Sequence, residues 1–182
     1  MKDSIMDNII LEGFMGSGKS AVAKALSKRL ELPLVDVDKM IEAKLKMRTT
    51  EVYDRFGDAY YRAMETMILI ELRSGVERSV IVLGSGLALM PKNAEYLKEL
   101  GTVYYLKVKL DTVVAKLAKQ EKHAWLRAGD LEERVSKMMK EREPAYRRIA
   151  NVTVEVDGKT VDQICDEIIA SVESSESETS GE

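Results

Sequence analysis

The chain has 182 residues, of which 45% are hydrophobic, so it is long enough to form one domain with a buried core. Its formal net charge of −3, from 28 basic and 31 acidic residues, provides no overall positive field for nucleic acid. No segment has the ~20 apolar residues of a membrane span, and Cys165, the only cysteine, excludes an internal disulfide. We expect a cytoplasmic monomer without a secretory signal, which acts on small molecules and binds neither nucleic acid nor membrane.

Apolar segments alternate with amphipathic segments along most of the chain. The apolar segments predict strands near residues 8–12, 34–37, 79–83, 102–106 and 152–156. The amphipathic segments predict helices near residues 18–30, 37–46, 57–74, 111–119, 130–143 and 160–172. This alternation indicates a parallel sheet with helices on both faces. We interpret residues 1–172 as a single domain and expect residues 173–182, which are rich in Glu and Ser and have nothing to bury, to be disordered.

A glycine-rich segment follows the first predicted strand. Gly13-Phe14-Met15-Gly16-Ser17-Gly18-Lys19-Ser20 fits G-x-x-x-x-G-K-[ST] and precedes a predicted helix, which is the context of a phosphate-binding loop. Backbone N–H groups of such a loop surround a β-phosphate, and the helix dipole favours its negative charge. Lys19 is predicted to reach the β- and γ-phosphates, and the Ser20 hydroxyl to hold Mg²⁺. The residues predicted to bind ATP here are Gly13, Met15, Gly16, Ser17, Gly18, Lys19, Ser20 and Ala21.

Two aspartates, Asp36 and Asp38, stand at the carboxyl end of the second predicted strand. Ligands collect at this edge of an open parallel sheet, and a spacing of two residues directs both side chains to the same side. Asp36 is a candidate for holding Mg²⁺ through water, because this cation takes oxygen ligands and keeps several waters. Asp38 is a candidate to orient and deprotonate an attacking hydroxyl, with capping of the next helix as the alternative. Beside a phosphate-binding loop, the functional interpretation is favoured.

Three further motifs follow in chain order. They are Gly57-Asp58-Ala59-Tyr60-Tyr61-Arg62-Ala63-Met64-Glu65, Gly84-Ser85-Gly86 and Arg142-Glu143-Pro144-Ala145-Tyr146. With the phosphate loop and the two aspartates, they resemble the motifs of the shikimate kinase family from about residue 8 to residue 157. The resemblance implies a three-layer α/β/α P-loop kinase fold with a five-stranded parallel sheet. It also implies phosphorylation of the 3-hydroxyl of shikimate by MgATP, a step in aromatic amino acid biosynthesis.

The resemblance assigns the acceptor-binding side chains. Arg62 and Arg142 bind the acceptor carboxylate, a task that suits guanidinium groups because they offer paired donors. Glu65, one helical turn after Arg62, pairs with that arginine and fixes its rotamer. Asp38 receives the acceptor hydroxyl. The backbone approaches the acceptor closely at Gly84, Ser85 and Gly86.

Three other positions follow from the same resemblance. Lys116 lies against adenine, where the family often has arginine. Tyr53 and Tyr61 match aromatic positions beside the substrate, although core packing explains them equally well. Ser85 replaces a glycine of the family, and its side chain narrows the acceptor pocket. A related kinase that phosphorylates another hydroxy acid is therefore an alternative function.

The lid, at about residues 118–130, departs most from the family pattern. Where the family has R-P-L-L, this chain has His123-Ala124-Trp125-Leu126. His123 takes the position of a catalytic arginine, but imidazole is largely neutral at pH 7, with a reference pKa of about 6.5, and offers no paired donors. Lys122 or Arg127 is close enough in sequence to replace the arginine, and an exposed His123 without a role is the alternative. A nucleotide-binding module with impaired catalysis is therefore the second rival function.

Overall fold

A parallel sheet forms the centre of the structure, a computed structural model that describes residues 7–119 and 130–179. Its strands are β1 (Asn8–Glu12), β2 (Leu34–Asp36), β3 (Val80–Val82), β4 (Gly101–Lys107) and β5 (Val152–Glu155). They form one five-stranded sheet in the order β2-β3-β1-β4-β5, and every neighbouring pair is parallel. The predicted five-stranded parallel sheet is confirmed. Because β1 is central, the loop that follows it opens at the middle of the carboxyl edge.

Helices cover the sheet in the outer layers of a three-layer α/β/α fold, as predicted. The helices in the described residues are α1 (Lys19–Leu30), α2 (Val37–Leu45), α3 (Thr49–Arg73), α4 (Asn93–Leu100), α5 (Leu110–Ala118), α6 (Leu131–Ile149) and α7 (Val161–Thr179). Helix α1 packs against α7, α3 packs against α2 and α4, and α5 packs against α6. Within the described part of the chain, none of the helices has the length and apolar character needed to cross a membrane.

The central strand β1 is buried along its whole length. Ile9, Ile10 and Leu11 are at most 2% exposed, as expected for a parallel strand covered on both faces. The polar residues lie at its two ends. Asn8 is satisfied by backbone, because its amide donates to Val76 O and Leu100 O and its carbonyl accepts from the backbone of the residue before β3. Glu12, at the other end, leads into the phosphate loop.

Three helices differ from the predicted boundaries. Helix α3 begins at Thr49 rather than near residue 57, and Gly57 interrupts it with φ 78° and ψ 176°, a conformation open to glycine alone. Helix α4 was not predicted. Helix α6 continues beyond the predicted end at residue 143 and includes Pro144. Tertiary contacts outweigh the local effect of the proline, because Tyr146 and Ile149 beyond it are buried.

The C-terminal segment also differs from its prediction. Residues 173–179, expected to be disordered, continue helix α7. Ser174 and Ser175 donate hydrogen bonds from their hydroxyls to the carbonyl oxygens of Ala170 and Ser171, and each added residue extends a helix that has already nucleated. Glu173, Ser174 and Ser175 are exposed.

Candidate active site

The phosphate loop connects β1 to α1. Gly16 (φ 82°) and Gly18 (φ 92°) adopt left-handed backbone conformations that favour glycine. Gly18 precedes α1, and no side chain caps this helix end. Backbone N–H groups at an uncapped helix start can bind a phosphate, whose charge the helix dipole favours. Lys19 begins α1, and its Nζ donates to the carbonyl oxygens of Gly13 and Phe14 across the loop.

The other predicted residues of the loop occupy different environments. Ser17 is buried, and its hydroxyl oxygen has no hydrogen-bond partner among the described residues. Ser20 and Ala21 are exposed in the first turn of α1. Met15, also predicted to bind ATP, lines a cavity next to the loop.

A groove of about 250 Å³ lies on the other side of the loop. Lys116 on α5 lines it, and its Nζ donates to Gly16 O at 2.8 Å. The turn after β5 forms the opposite wall, where Asp157 accepts hydrogen bonds from Lys109 N and the Thr112 hydroxyl. The sequence analysis identified Lys116 but missed this turn. The Asp157-Gly158 turn pair at the carboxyl end of the last predicted strand was the available signal.

The acceptor cavity, of about 440 Å³, lies next to the phosphate loop. It brings together side chains and backbone from α2, α3, the segment after β3, and α6. Each residue predicted to bind the acceptor lines it: Asp38, Arg62, Gly84, Ser85, Gly86 and Arg142. Met15 of the phosphate loop completes one wall, so the cavity and the loop are adjacent.

Asp38 lies in the first turn of α2 and faces this cavity. Its Oδ1 accepts a hydrogen bond from the Tyr61 hydroxyl at 2.6 Å. Burial is the largest influence and raises the pKa of Asp38, although the Tyr61 hydrogen bond opposes the rise. The capping alternative for Asp38 is wrong, because Asp36 caps α2 by accepting from Lys39 N at 3.2 Å. Asp38 is therefore free to bind an acceptor hydroxyl.

Arg62 is held by three side chains around it. Its NH1 donates to Glu65 at 2.5 Å, and its NH2 donates to the Tyr53 hydroxyl at 2.6 Å and to Asp58 at 3.1 Å. Burial raises the pKa of Glu65 to about 8, and the Arg62 charge only partly offsets that rise. A Cβ at Gly86 would overlap the Arg62 guanidinium, which explains the glycine there. The guanidinium is thus fixed before any ligand binds.

Tyr53 and Tyr61 line the acceptor cavity and also pack against each other. Their rings stack with centroids 4.5 Å apart, and Tyr61 is 2% exposed. Their hydroxyls also bond to Arg62 and Asp38, respectively. Core packing and orientation of the polar site therefore come from the same two side chains.

Arg142 on α6 reaches the cavity from the opposite side. Its NH1 donates to the Ser85 hydroxyl at 3.0 Å and to Ser85 O at 3.4 Å, and its guanidinium lies over the Phe14 ring. The Tyr146 hydroxyl also donates to Ser85 O, at 2.5 Å. Ser85, the residue that departs from the family pattern, therefore accepts the hydrogen bonds that Arg142 NH1 donates.

The two candidate metal ligands, Ser20 and Asp36, offer only oxygen atoms. Ser20 contributes a hydroxyl, and Asp36 has a second carboxylate oxygen besides the one that caps α2. No group of three or more His, Cys, Asp or Glu residues suited to a metal occurs among residues 7–119 and 130–179. Such a sparse oxygen set fits Mg²⁺, which keeps waters and takes phosphate oxygens, rather than a cation with a complete protein shell.

Glu12 was missed by the sequence analysis. It is fully buried at the end of β1, and its Oε1 accepts from Gly13 N at 2.7 Å. A charged residue directly after Ile9-Ile10-Leu11 was the signal, because buried strands seldom contain one. His123, Lys122 and Arg127 lie outside the described residues, so their roles stay predictions.

Known proteins resemble this chain over most of its length. The family model for shikimate kinase matches residues 15–173. The shikimate kinase of Caldanaerobacter subterraneus subsp. tengcongensis is 33% identical over 164 residues, which cover 90% of this chain and 95% of that protein. The shikimate kinase of a Sulfurihydrogenibium species is 36% identical over 167 residues, or 92% and 98%. A solved structure of shikimate kinase from Acinetobacter baumannii in complex with shikimate has a TM-score of 0.86 and 27% identity, covering 94% and 96% of the two chains.

Proposed function

Because this chain belongs to the shikimate kinase family and is an ATP-dependent kinase of shikimate, we propose that its phosphate loop and acceptor cavity hold MgATP and shikimate side by side. In this arrangement the 3-hydroxyl of shikimate lies at Asp38. The observation that carries the proposal is the cavity itself, where Asp38, Arg62 and Arg142 meet beside Met15 of the phosphate loop. A carboxylate acceptor with a reactive hydroxyl matches this set of one base and two guanidinium groups.

The phosphate loop binds the nucleotide. Backbone N–H groups at the start of α1 contact the phosphates, and Lys19 moves from the loop carbonyls to the β- and γ-phosphate oxygens. Ser17, whose buried hydroxyl has no described partner, donates to the nucleotide. The groove beside Lys116 and Asp157 takes the nucleoside.

Ser20 and Asp36 hold Mg²⁺, Asp36 through water. When bound, this cation neutralises charge on the phosphate oxygens. The work of the protein is positioning and electrostatic stabilisation, since phosphoryl transfer needs little covalent chemistry from the enzyme.

The acceptor is fixed by its carboxylate and by its hydroxyl. Arg62 and Arg142 bind the carboxylate, with Glu65 and Tyr53 keeping Arg62 in place. Asp38 accepts the proton of the attacking hydroxyl, and its raised pKa makes it a stronger base than an ordinary aspartate. His123 is proposed as the lid residue that contacts the transferring phosphoryl group.

We propose that the enzyme acts as a monomer in the cytoplasm.

Replacement of Asp38 by Asn tests the assignment of the base. Asp38→Asn removes the proton acceptor but keeps the shape, so we expect kcat to fall by about 100-fold or more while the Kd for ATP stays within about twofold. The matched control is Asp111→Asn, which changes an exposed aspartate in the first turn of α5. A fall in ATP affinity with unchanged kcat would place Asp38 in the nucleotide or metal site and refute its role as base.

A further inference from the structure

Glu12 is a buried acid that the proposed reaction does not use. It is 0% exposed at the end of the central strand, directly before the phosphate loop. Its Oε1 accepts from Gly13 N at 2.7 Å, but its Oε2 has no hydrogen-bond partner among the described residues. A buried carboxylate oxygen without a partner destabilises a fold, so its presence directly before the loop calls for an explanation.

Charged and titratable groups from five elements interact electrostatically with Glu12. They are Lys19 on α1, Asp38 on α2, Glu65 on α3, Tyr105 on β4, and Arg142 and Tyr146 on α6. Lys19 exerts the strongest attraction on it, followed by the Gly13 N–H and Arg142. Burial outweighs these attractions and raises the pKa of Glu12 to about 7. The carboxyl group therefore changes its protonation state near neutral pH.

Lys19 depends on this carboxyl group before a nucleotide binds. Its Nζ donates to two carbonyl oxygens, which accept hydrogen bonds from an ammonium group. Burial lowers the pKa of Lys19, and Glu12 is the largest influence that opposes this change. Among the charged groups around the half-buried Lys19, Glu12 is thus the one that most favours its ammonium form.

Binding of a triphosphate changes which protonation state of Glu12 is favoured. The phosphates supply Lys19 with a new counter-charge and bring further negative charge to the loop beside Glu12. Because a nearby like charge disfavours the ionised form of a carboxyl group, the protonated form of Glu12 becomes favoured.

We propose that Glu12 is a positioning residue of the phosphate loop, which holds Lys19 as its counter-charge before ATP binds and takes up one proton when ATP binds. The proton comes from solvent and forms an O–H bond on the Glu12 carboxylate, with no other bond changed. This inference rests on the proposed binding of ATP to the loop. It predicts that ATP affinity falls by up to about tenfold per pH unit once Glu12 ionises, as linkage to one proton requires.

Isothermal titration calorimetry with MgATP, without shikimate, tests the coupling. At about pH 8, titrations in two buffers of different ionisation enthalpy should show wild-type enzyme taking up close to one proton per ATP. Glu12→Gln keeps an oxygen acceptor for Gly13 N–H but cannot titrate, so its proton uptake should disappear. Its ATP affinity should exceed that of wild type by about tenfold at pH 8 and equal it at about pH 6.

The matched control is Glu95→Gln, which makes the same change at an exposed carboxyl group in the first turn of α4. It should keep the uptake seen in wild type. ATP binding to wild type without proton uptake, or uptake that persists in Glu12→Gln, would overturn this inference and leave the proposed function intact. No binding of MgATP to wild type at all would contradict the proposed function, and this inference with it.

Discussion

Removal of the Ser85 hydroxyl should tighten binding of the acceptor. In the structure this hydroxyl accepts from Arg142 NH1 at 3.0 Å, in the cavity where the acceptor carboxylate is proposed to bind. The carboxylate must displace that hydrogen bond before it can use the same donor. Ser85→Ala leaves Arg142 in place and removes the hydroxyl acceptor, so that NH1 keeps only its 3.4 Å hydrogen bond to the backbone oxygen of residue 85. Ser85→Gly also removes the Cβ.

The size of the effect follows from the bond that is broken. Hydrogen bonds to charged groups contribute about 1.5–3 kcal/mol to stability. Because Ser85 is half-buried and water can replace its hydroxyl as the partner of Arg142, the gain in shikimate binding should lie at the lower end of this range. About 1.4 kcal/mol corresponds to a tenfold change, so the KM for shikimate should fall about tenfold in Ser85→Ala. The turnover number should change little, because Ser85 makes no proposed contact with the transferred phosphoryl group.

Steady-state kinetics at saturating MgATP, with ADP release coupled to an indicator reaction, measures both constants. Ser136→Ala on α6, away from the acceptor cavity, is the control for a serine-to-alanine change. Ser85→Gly should match or exceed the effect of Ser85→Ala. A tenfold rise in KM for both variants would refute the reasoning, since it would mean that the hydroxyl binds the acceptor rather than competes with it.

Two further predictions concern Asp38 and Arg62. Tyr61→Phe removes a hydrogen bond that favours the Asp38 carboxylate, so the pKa of Asp38 should rise. The acid limb of the pH profile of kcat/KM should therefore move upward by about 0.5–1 pH unit. An unmoved limb would contradict this role of Tyr61. Gly86→Ala adds a Cβ that overlaps the Arg62 guanidinium, so the KM for shikimate should rise at least about tenfold while the affinity for ATP stays unchanged. The control is Gly75→Ala, whose Cβ meets nothing within 4 Å and which should leave both constants unchanged. An unchanged KM in Gly86→Ala would place the acceptor carboxylate elsewhere.

Features encoded by contiguous residues were predictable from the sequence. The phosphate loop at Gly13–Ser20 combines a motif with the strand and helix that flank it, and the structure has all three in place. The sheet followed from apolar segments of strand length separated by amphipathic ones. Arg62 and Arg142, which are 80 positions apart, could be assigned to one cavity only through the family resemblance.

Features that depend on tertiary contacts were missed. Capping of α2 by Asp36 rather than Asp38 depends on where β2 ends, and the spacing of the two aspartates alone does not fix that residue. Helix α6 passes through Pro144 because the residues beyond it are buried. The apolar residues before Glu12 indicate an unusual charge there, but its raised pKa depends on burial and on charges from distant elements, such as Lys19 and Arg142, so no local pattern reveals it.

Product analysis of the purified enzyme tests the central claim most directly. The protein is incubated with MgATP, with and without shikimate, and both ADP and phosphorylated shikimate are quantified, with Lys19→Ala as the inactive reference. Phosphate transfer to the 3-hydroxyl of shikimate, in equal amounts with ADP and absent from the Lys19→Ala reaction, is the predicted result. Normal ATP binding with no shikimate-dependent ADP, or transfer to the same extent by Lys19→Ala, would contradict the account.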